Sequence, residues 1–333
     1  MRRFFFILFL LSFLPSCEKL VLKEDYSSTD PYVNFAYLWH ACDEQYAYFD
    51  LKGINWDNTR HFYGDQISPG ISDDSLFNVL GNMLKELKDD HTNLISNFNV
   101  SFFGTVYQGP DNFDWRIIED NYLSQDYYHS GPFLHDFIEN EEVGYIRLKN
   151  FTSTINNTNL DFILNRYKDT KGLILDLREN GGGAISGVFK ILSRFVNKET
   201  LVYYSRIKNG PGHNDFSEPE AAYLSPYTGT KYLKKVFILT DRGTYSAGSF
   251  TALAAKEIPN ITLVGDTTGG GLGLPNGGQL PNGWTYRFSV SQTLTTDLDP
   301  SFENGVPPDV IQLFDWDDRT KDEVIEKVLR DLL

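Results

Sequence analysis

The sequence holds 333 residues, enough to bury a sizeable core in one large domain or two modest ones, and its 41% hydrophobic and 23% charged content excludes wholesale disorder. Asp and Glu number 45 against 30 Lys and Arg, a net charge of -15 that repels phosphate backbones and anionic headgroups and so speaks against nucleic acid as a partner. Two cysteines, Cys17 and Cys42, are too few for a disulfide framework or a Cys-rich zinc site.

Met1-Arg2-Arg3 is a short basic start, and residues 4–14 (FFFILFLLSFL) form an uncharged apolar run of 11. That length is too short for a stable membrane span and suits the core of a secretory signal peptide, placed at 1–16. The run ends in Leu14-Pro15-Ser16-Cys17, which resembles a bacterial lipobox. The expectation is an exported cell-envelope lipoprotein, bacterial, tied to a membrane by lipid on Cys17; an ordinary signal peptide with an incidental cysteine is the alternative. Cleavage there removes Arg2 and Arg3 and takes the net charge from -15 to -17. Residues 17–30 are polar and read as a tether. Cys42 is then a lone thiol, read as a small buried hydrophobe.

Residues 31–95 are expected to form a helical N-terminal subdomain. Phe35, Leu38, Trp39 and Cys42 recur at helical spacing after Pro31. Ser72 to Ser75 supply cap candidates for a second helix, whose apolar stripe is Leu76, Val79, Leu80, Met83, Leu84 and Leu87. Residues 96–142 are aromatic-rich and lack periodic cues, so they are left as an irregular connecting segment. From 143 to 333 the text alternates. Val143–Leu148 and Gly172–Arg178 read as strands, the second apolar enough for the middle of a covered sheet. Helical text from about Asn159 to Tyr167 lies between them. Asn180-Gly181-Gly182-Gly183 then opens a helix running to about Val196. Val236–Thr240 is a strand leading through Ser246 into a helix over Ala247–Lys256. Ile261–Val264 is a further strand, and residues 321–332 make an amphipathic terminal helix. Strands alternating with helices imply an α/β sheet whose βα turns carry the chemistry.

Two turns stand out. Ser246 falls where a buried strand becomes a helix, which aims a hydroxyl outward beside free helix amides; such a serine is either a nucleophile in need of a base or a plain N-cap. The spacing is not the G-x-S-x-G elbow, since Gly243 is three residues upstream. The glycine run lets backbone N–H groups approach a ligand closely, and an oxyanion pocket fits it at least as well as a phosphate site. His91, just past the second helix, is either a general base or a helix C-terminal partner. His40, His61, His129, His135 and His213 show no metal-ligand spacing, so no metal is expected. Trp115, Tyr122, Tyr127 and Tyr128 are read as packing residues rather than a substrate groove.

Four segments in order resemble one family. GLILDLRENGGGAISG (172–187) and VFILTDRGTYSAGSFTALAAKEIPNITLVGDTTGGG (236–271) are similar to the glycine turn and nucleophile turn of the tail-specific, or C-terminal processing, serine proteases. LKDDHTNL (87–94) and FENGVPPDV (302–310) flank them. One branch of that family uses a Ser–Lys dyad, but no lysine occurs between Lys256 and Lys321 and the corresponding position is Gly271. The other branch, with the tricorn protease core and the interphotoreceptor retinoid-binding protein repeats, has D-x-H-T and E-N-x-G-V-x-P-D, matched by Asp89 to Thr92 and Glu303 to Asp309.

The resemblance implies an α/β crotonase-like core and an acyl-enzyme serine peptidase acting on peptides or polypeptides without metal or organic cofactor. It makes Ser246 the nucleophile, His91 the base and Glu303 the carboxylate that orients the base, with an oxyanion hole from Gly182 or Gly183 and Ala247. The active site would lie between the helical subdomain and the core. Asp90, Asp176 and Arg178 are supporting candidates; Asp176 and Arg178 are read as tying the strand end to its turn, and Asp309 as bracing its own. The interval 96–142 is about half of what a PDZ domain needs, so none is predicted. A catalytically silent peptide or apolar-ligand binder on the same scaffold is the alternative function, and an acyl-CoA enzyme is set aside for want of a basic nucleotide-phosphate cluster.

Overall fold

In the computed structural model the chain is described over residues 27–105, 109 and 111–333; the expected signal peptide and Cys17 lie outside the described residues. Asp30 opens the first helix, α1 (Pro31–Gln45), accepting from the Tyr32 and Val33 N–H groups with proline at the first helical position. Its buried stripe of Phe35, Leu38, Trp39 and Cys42 matches the sequence periodicity. Two further helices, α2 (Phe49–Lys52) and α3 (Trp56–Gly64), precede α4 (Asp73–Lys85), which Ser72 caps through the Ser75 N–H.

These helices do not close their own core. Strands β1 (Asn93–Ile95) and β2 (Val100–Ser101) follow α4, and β1 pairs antiparallel with β12 (Thr285–Ser289), a strand almost 200 residues further on. With β11 (Pro275–Gln279) they form a four-stranded sheet. Trp284, Tyr286, Phe288 and Val290 therefore pack into the same cluster as Leu38, Trp39, Leu80 and Met83. The late segment is thus part of the N-terminal helices' core.

The segment 96–142, which offered no periodic cues, carries β2, α5 (Trp115–Asn121), β3 (Tyr128–Ser130) and β4 (Phe133–Ile138). Beyond it the alternation follows the sequence reading: β5 (Val143–Leu148), α6 (Asn157–Arg166), β6 (Gly172–Asp176), α7 (Ile185–Leu192), β9 (Lys235–Thr240), α8 (Ala247–Ala255), β10 (Ile261–Gly265) and α9 (Glu323–Leu332), with one strand the sequence did not announce, β14 (Val310–Ile311). The main sheet has the order β14-β10-β9-β6-β5-β4-β3, parallel from β14 to β5 and antiparallel beyond. Between α7 and β9 lie β7 (Thr200–Ile207) and β8 (Glu220–Leu224), which with β13 (Ser291–Leu294) form a separate three-stranded sheet.

Both faces of the main sheet are covered, which is why β6 reads as an unbroken apolar run. Leu173 and Leu175 face the core packed by α6, α7 and α8, while Ile174 faces the one packed by α5 and α9. Arg178, fully buried just past β6, pairs with Asp176 at 2.6 Å and with Asp322 at 2.8 Å, and Asp322 caps α9. The terminal helix is thereby fastened to the strand that leads into the glycine turn. Among the described residues no helix is long and apolar enough to cross a membrane.

Candidate active site

Ser246 leaves β9 at the first turn of α8 with φ 53° and ψ -119°, a conformation that costs a non-glycine residue of order 1–3 kcal/mol. Thr244 and Asp241 fix the approach. Asp241 accepts from the Thr244 and Glu179 N–H groups, and Thr244 Oγ1 donates to the Leu177 carbonyl. The Ser246 side chain makes no cap hydrogen bond to α8, so the plain N-cap alternative does not describe it.

The glycine turn packs directly on this serine. A Cβ on Gly182, at φ +92°, would stand 2.6 Å from Ser246 Cβ and 3.0 Å from the Ala247 nitrogen. The Gly182 N–H is spent on Asn180 Oδ1 at 3.0 Å, so of the two glycines expected to supply an oxyanion donor this one is already committed. The next peptide differs. Among the described hydrogen bonds neither the Gly183 nor the Ala247 N–H has an acceptor, while Gly183 is bridged to Phe151 and Gly248 N–H returns to the Tyr245 carbonyl. Two amides without a described acceptor thus lie on the residue after Ser246 and on the residue after Gly182, which packs against it.

His91 Nε2 lies 3.0 Å from Ser246 Oγ, a contact across 155 residues of sequence. The residue sits six positions beyond the end of α4, so it is not that helix's C-terminal partner. Its backbone places it: the His91 N–H donates to Asp89 Oδ1 at 2.8 Å and to the Tyr245 hydroxyl at 3.1 Å. Tyr245 in turn donates to Asp89 Oδ1, and Ser289, at the end of β12, donates to Asp89 Oδ2 at 2.8 Å. Burial holds the imidazole pKa below its ordinary value, helped by Arg287; Asp89, the Gly273 backbone and Asp90 pull the other way. A buried imidazole kept neutral is suited to accept a proton at neutral pH.

Glu303 departs from the expected arrangement. It is 2% exposed, not solvated, and its Oε2 accepts from the Leu272 and Gly273 N–H groups at 2.6 and 2.9 Å. Among the described residues His91 Nδ1 has no hydrogen-bond partner, so Glu303 does not hydrogen-bond the ring. The carboxylate instead fixes the peptide of Gly273, the backbone that favours the protonated imidazole. Burial and the nearby Asp89 push Glu303 up to about 7, against Lys52 and the two amides. Burial pushes Asp89 up as well, but Lys52, His91 and the Ser289 hydroxyl hold it below the usual carboxylate range.

The other candidates are structural. Asp90 accepts from Gly104 and Thr105 N–H and orders the loop after β2. Asp176 and Arg178 belong to the buried tie described above, and Asp309 braces β10 through the Leu263 N–H and Lys256. His135 bonds Ser130 and Tyr167, and His213 bonds Asp43. Tyr122 and Tyr127 bond Glu326 and Glu119. Trp115 and Tyr128 stack under Arg147 and Arg166. Sequence reasoning missed Lys52, Tyr245 and Ser289. Tyr245 adjoins the nucleophile, but nothing in the spacing of the other two marks them. Among the described residues no cluster of His, Cys, Asp or Glu could hold a metal ion.

A strained serine at a strand-to-helix turn, an imidazole on its hydroxyl and two unspent amides beside it make the constellation of a serine hydrolase. The chain belongs to peptidase family S41, whose model matches residues 142–312; the tricorn protease C1 domain model matches residues 28–85. A protein from Parabacteroides merdae, classed by inference as a peptidase, has a crystal structure that superposes with a TM-score of 0.88 at 38% identity, covering 92% of this chain and 98% of that one. The carboxy-terminal processing protease CtpA of Bacillus subtilis is 28% identical over 178 residues, 53% of this chain and 36% of the relative. The carboxyl-terminal-processing protease of a Synechocystis strain is 27% identical over 190 residues, 54% of this chain. The match spans only 36% and 40% of the lengths of these two curated relatives. The tricorn protease shares the fold, with a TM-score of 0.57 over 91% of this chain at 16% identity.

Proposed function

We propose that this protein is a serine peptidase that cleaves peptide bonds through a covalent acyl-enzyme on Ser246. The observation that carries the reading is the 3.0 Å contact between His91 Nε2 and Ser246 Oγ, made by segments 155 residues apart. With the ring proton on Nδ1, Nε2 accepts the hydroxyl proton as Oγ attacks the scissile carbonyl. The new C–O bond forms as the carbonyl π pair moves to oxygen, where the Gly183 and Ala247 amides meet the charge. His91 then returns its proton to the leaving amine, and water releases the acyl group by the same steps in reverse. Glu303 acts through the Leu272 and Gly273 amides that it holds beside the base. No step calls for a metal or organic cofactor.

The core is read as crotonase-like, the mature protein as exported and lipid-anchored through Cys17, and its substrates as polypeptides. The test is a diverse peptide mixture incubated with the purified protein and read by mass spectrometry, beside Ser246→Ala and His91→Ala. Cleavage that falls by about 10⁴-fold or more in both variants is the expected result. Absence of cleavage together with no labelling of Ser246 by a fluorophosphonate would favour the silent binder. Labelling of Cys17 by a palmitate analogue in cells, lost in Cys17→Ala, tests the anchor.

A further inference from the structure

We propose that Lys52 is a positioning residue for the Ser246–His91 pair, acting through the two buried carboxylates behind the imidazole; this rests on the peptidase reading above. Lys52 ends the four-residue helix α2, where Gly53 takes a left-handed conformation (φ 61°) that turns the chain away. Its side chain runs inward and is only 5% exposed. There Nζ donates to the Lys88 carbonyl at 2.8 Å and stands 3.7 Å from Glu303 Oε1. One ammonium thus joins α2, the loop that leads to His91, and the 3-10 turn Ser301–Asn304 that carries Glu303.

The charge balance makes the ammonium necessary. Asp89 and Glu303 are both buried, and the phenols of Tyr46, Tyr48 and Tyr245 lie close enough to feel both. Two like charges in one buried site push one carboxyl to take a proton, whereas an opposite charge within about 4–6 Å keeps it ionised. Lys52 is the cation in ion-pair contact with Glu303 among the described residues; Arg287 faces His91 and bonds Asn93. Without Lys52, Glu303, already pushed up to about 7, rises further and is mostly protonated at neutral pH. Its oxygen then grips the Leu272 and Gly273 amides less firmly, and the Gly273 backbone behind His91 loses its anchor. The groups facing His91 itself are Asp89, Asp90 and Arg287, none of which the substitution removes.

The experiment is the rate of Ser246 labelling by a fluorophosphonate against pH, for the parent, Lys52→Met and Lys52→Arg, with thermal unfolding followed for each. In the parent the rate should fall on the acid side through about pH 7, as Glu303 protonates. Lys52→Met should move that limb up by ~1–3 pH units, so labelling drops at least about fivefold at pH 7 and recovers at high pH. Lys52→Arg should hold the limb near the parent's position. In a Glu303→Gln background, Lys52→Met should add less than about twofold, because the two act as one unit. A limb that stays in place while labelling falls equally at every pH, in Lys52→Met or in Lys52→Arg, would overturn the inference alone. A parent that never labels would overturn the nucleophile reading and this inference with it.

Discussion

The two halves of the candidate site are built by opposite means. The nucleophile half is local: β9, a four-residue turn fixed by Asp241 and Thr244, and α8 set the Ser246 hydroxyl, and the glycine turn at the end of the neighbouring strand β6 packs against it. The base half has almost no local support. His91 lies on a loop, and its position depends on Tyr245, 154 residues on, and through Asp89 on Ser289, 200 residues beyond that aspartate. Strain can be stored at Ser246 because a rigid sheet over-determines it, whereas the imidazole is aligned only when distant segments meet. Damage to the first half should therefore act on chemistry at a fixed geometry, and damage to the second on the alignment itself.

The comparison can be broken in three places. The largest expected effect lies in the sheet that carries the nucleophile half. Arg178→Met leaves Asp176 and Asp322 buried without their cation and should cost about 3–5 kcal/mol of stability in denaturant unfolding. Labelling of Ser246 in the fraction still folded should stay within about twofold of the parent, since Arg178 touches no reacting group. A large loss of labelling in folded Arg178→Met would show that the local half is not self-sufficient. Gly182→Ala comes next. The added methyl meets Ser246 Cβ at 2.6 Å on a backbone with φ +92°, so the serine must shift. Turnover should fall by roughly 10²–10³, the scale of losing one oxyanion donor, with a smaller change in KM. Tyr245→Phe is the mildest. It removes the hydroxyl that links the His91 amide to Asp89, each bond being worth about 1 kcal/mol, so kcat should fall about tenfold with little loss of stability. A tenfold effect on KM instead would place Tyr245 on the substrate rather than on the base.

Much of the nucleophile half was legible in the sequence, and the reason is physical. A strand covered on both faces must be continuously apolar, and a turn that brings backbone against a serine must be glycine, so Gly172 to Gly183 and Val236 to Ser246 announce themselves. The assignment of His91 came from a family resemblance; the spacing around it favoured a helix-end partner. The sheet that holds it was not legible at all. The strand β11 reads Pro-Asn-Gly-Gly-Gln, with every residue exposed, and exists because its backbone pairs with β12. No periodicity in residues 96–142 announced β3 or β4 either, since each gains its definition from a neighbour in the sheet.

By itself the sequence determined the order of elements in the parallel core, the two helices whose stripes are Phe35 to Cys42 and Leu76 to Leu84, and the turn on which Ser246 stands. These follow from periods of two and 3.6 residues and from the backbone freedom of glycine, all of which act over a few neighbouring positions. Only the tertiary structure decided that Gly182 spends its amide within the turn and leaves the next one free, that Glu303 grips a peptide instead of the imidazole, and that Lys52 stands behind both carboxylates. Those outcomes depend on which buried donors, acceptors and charges are left facing one another once distant segments have packed, and no local pattern records that pairing.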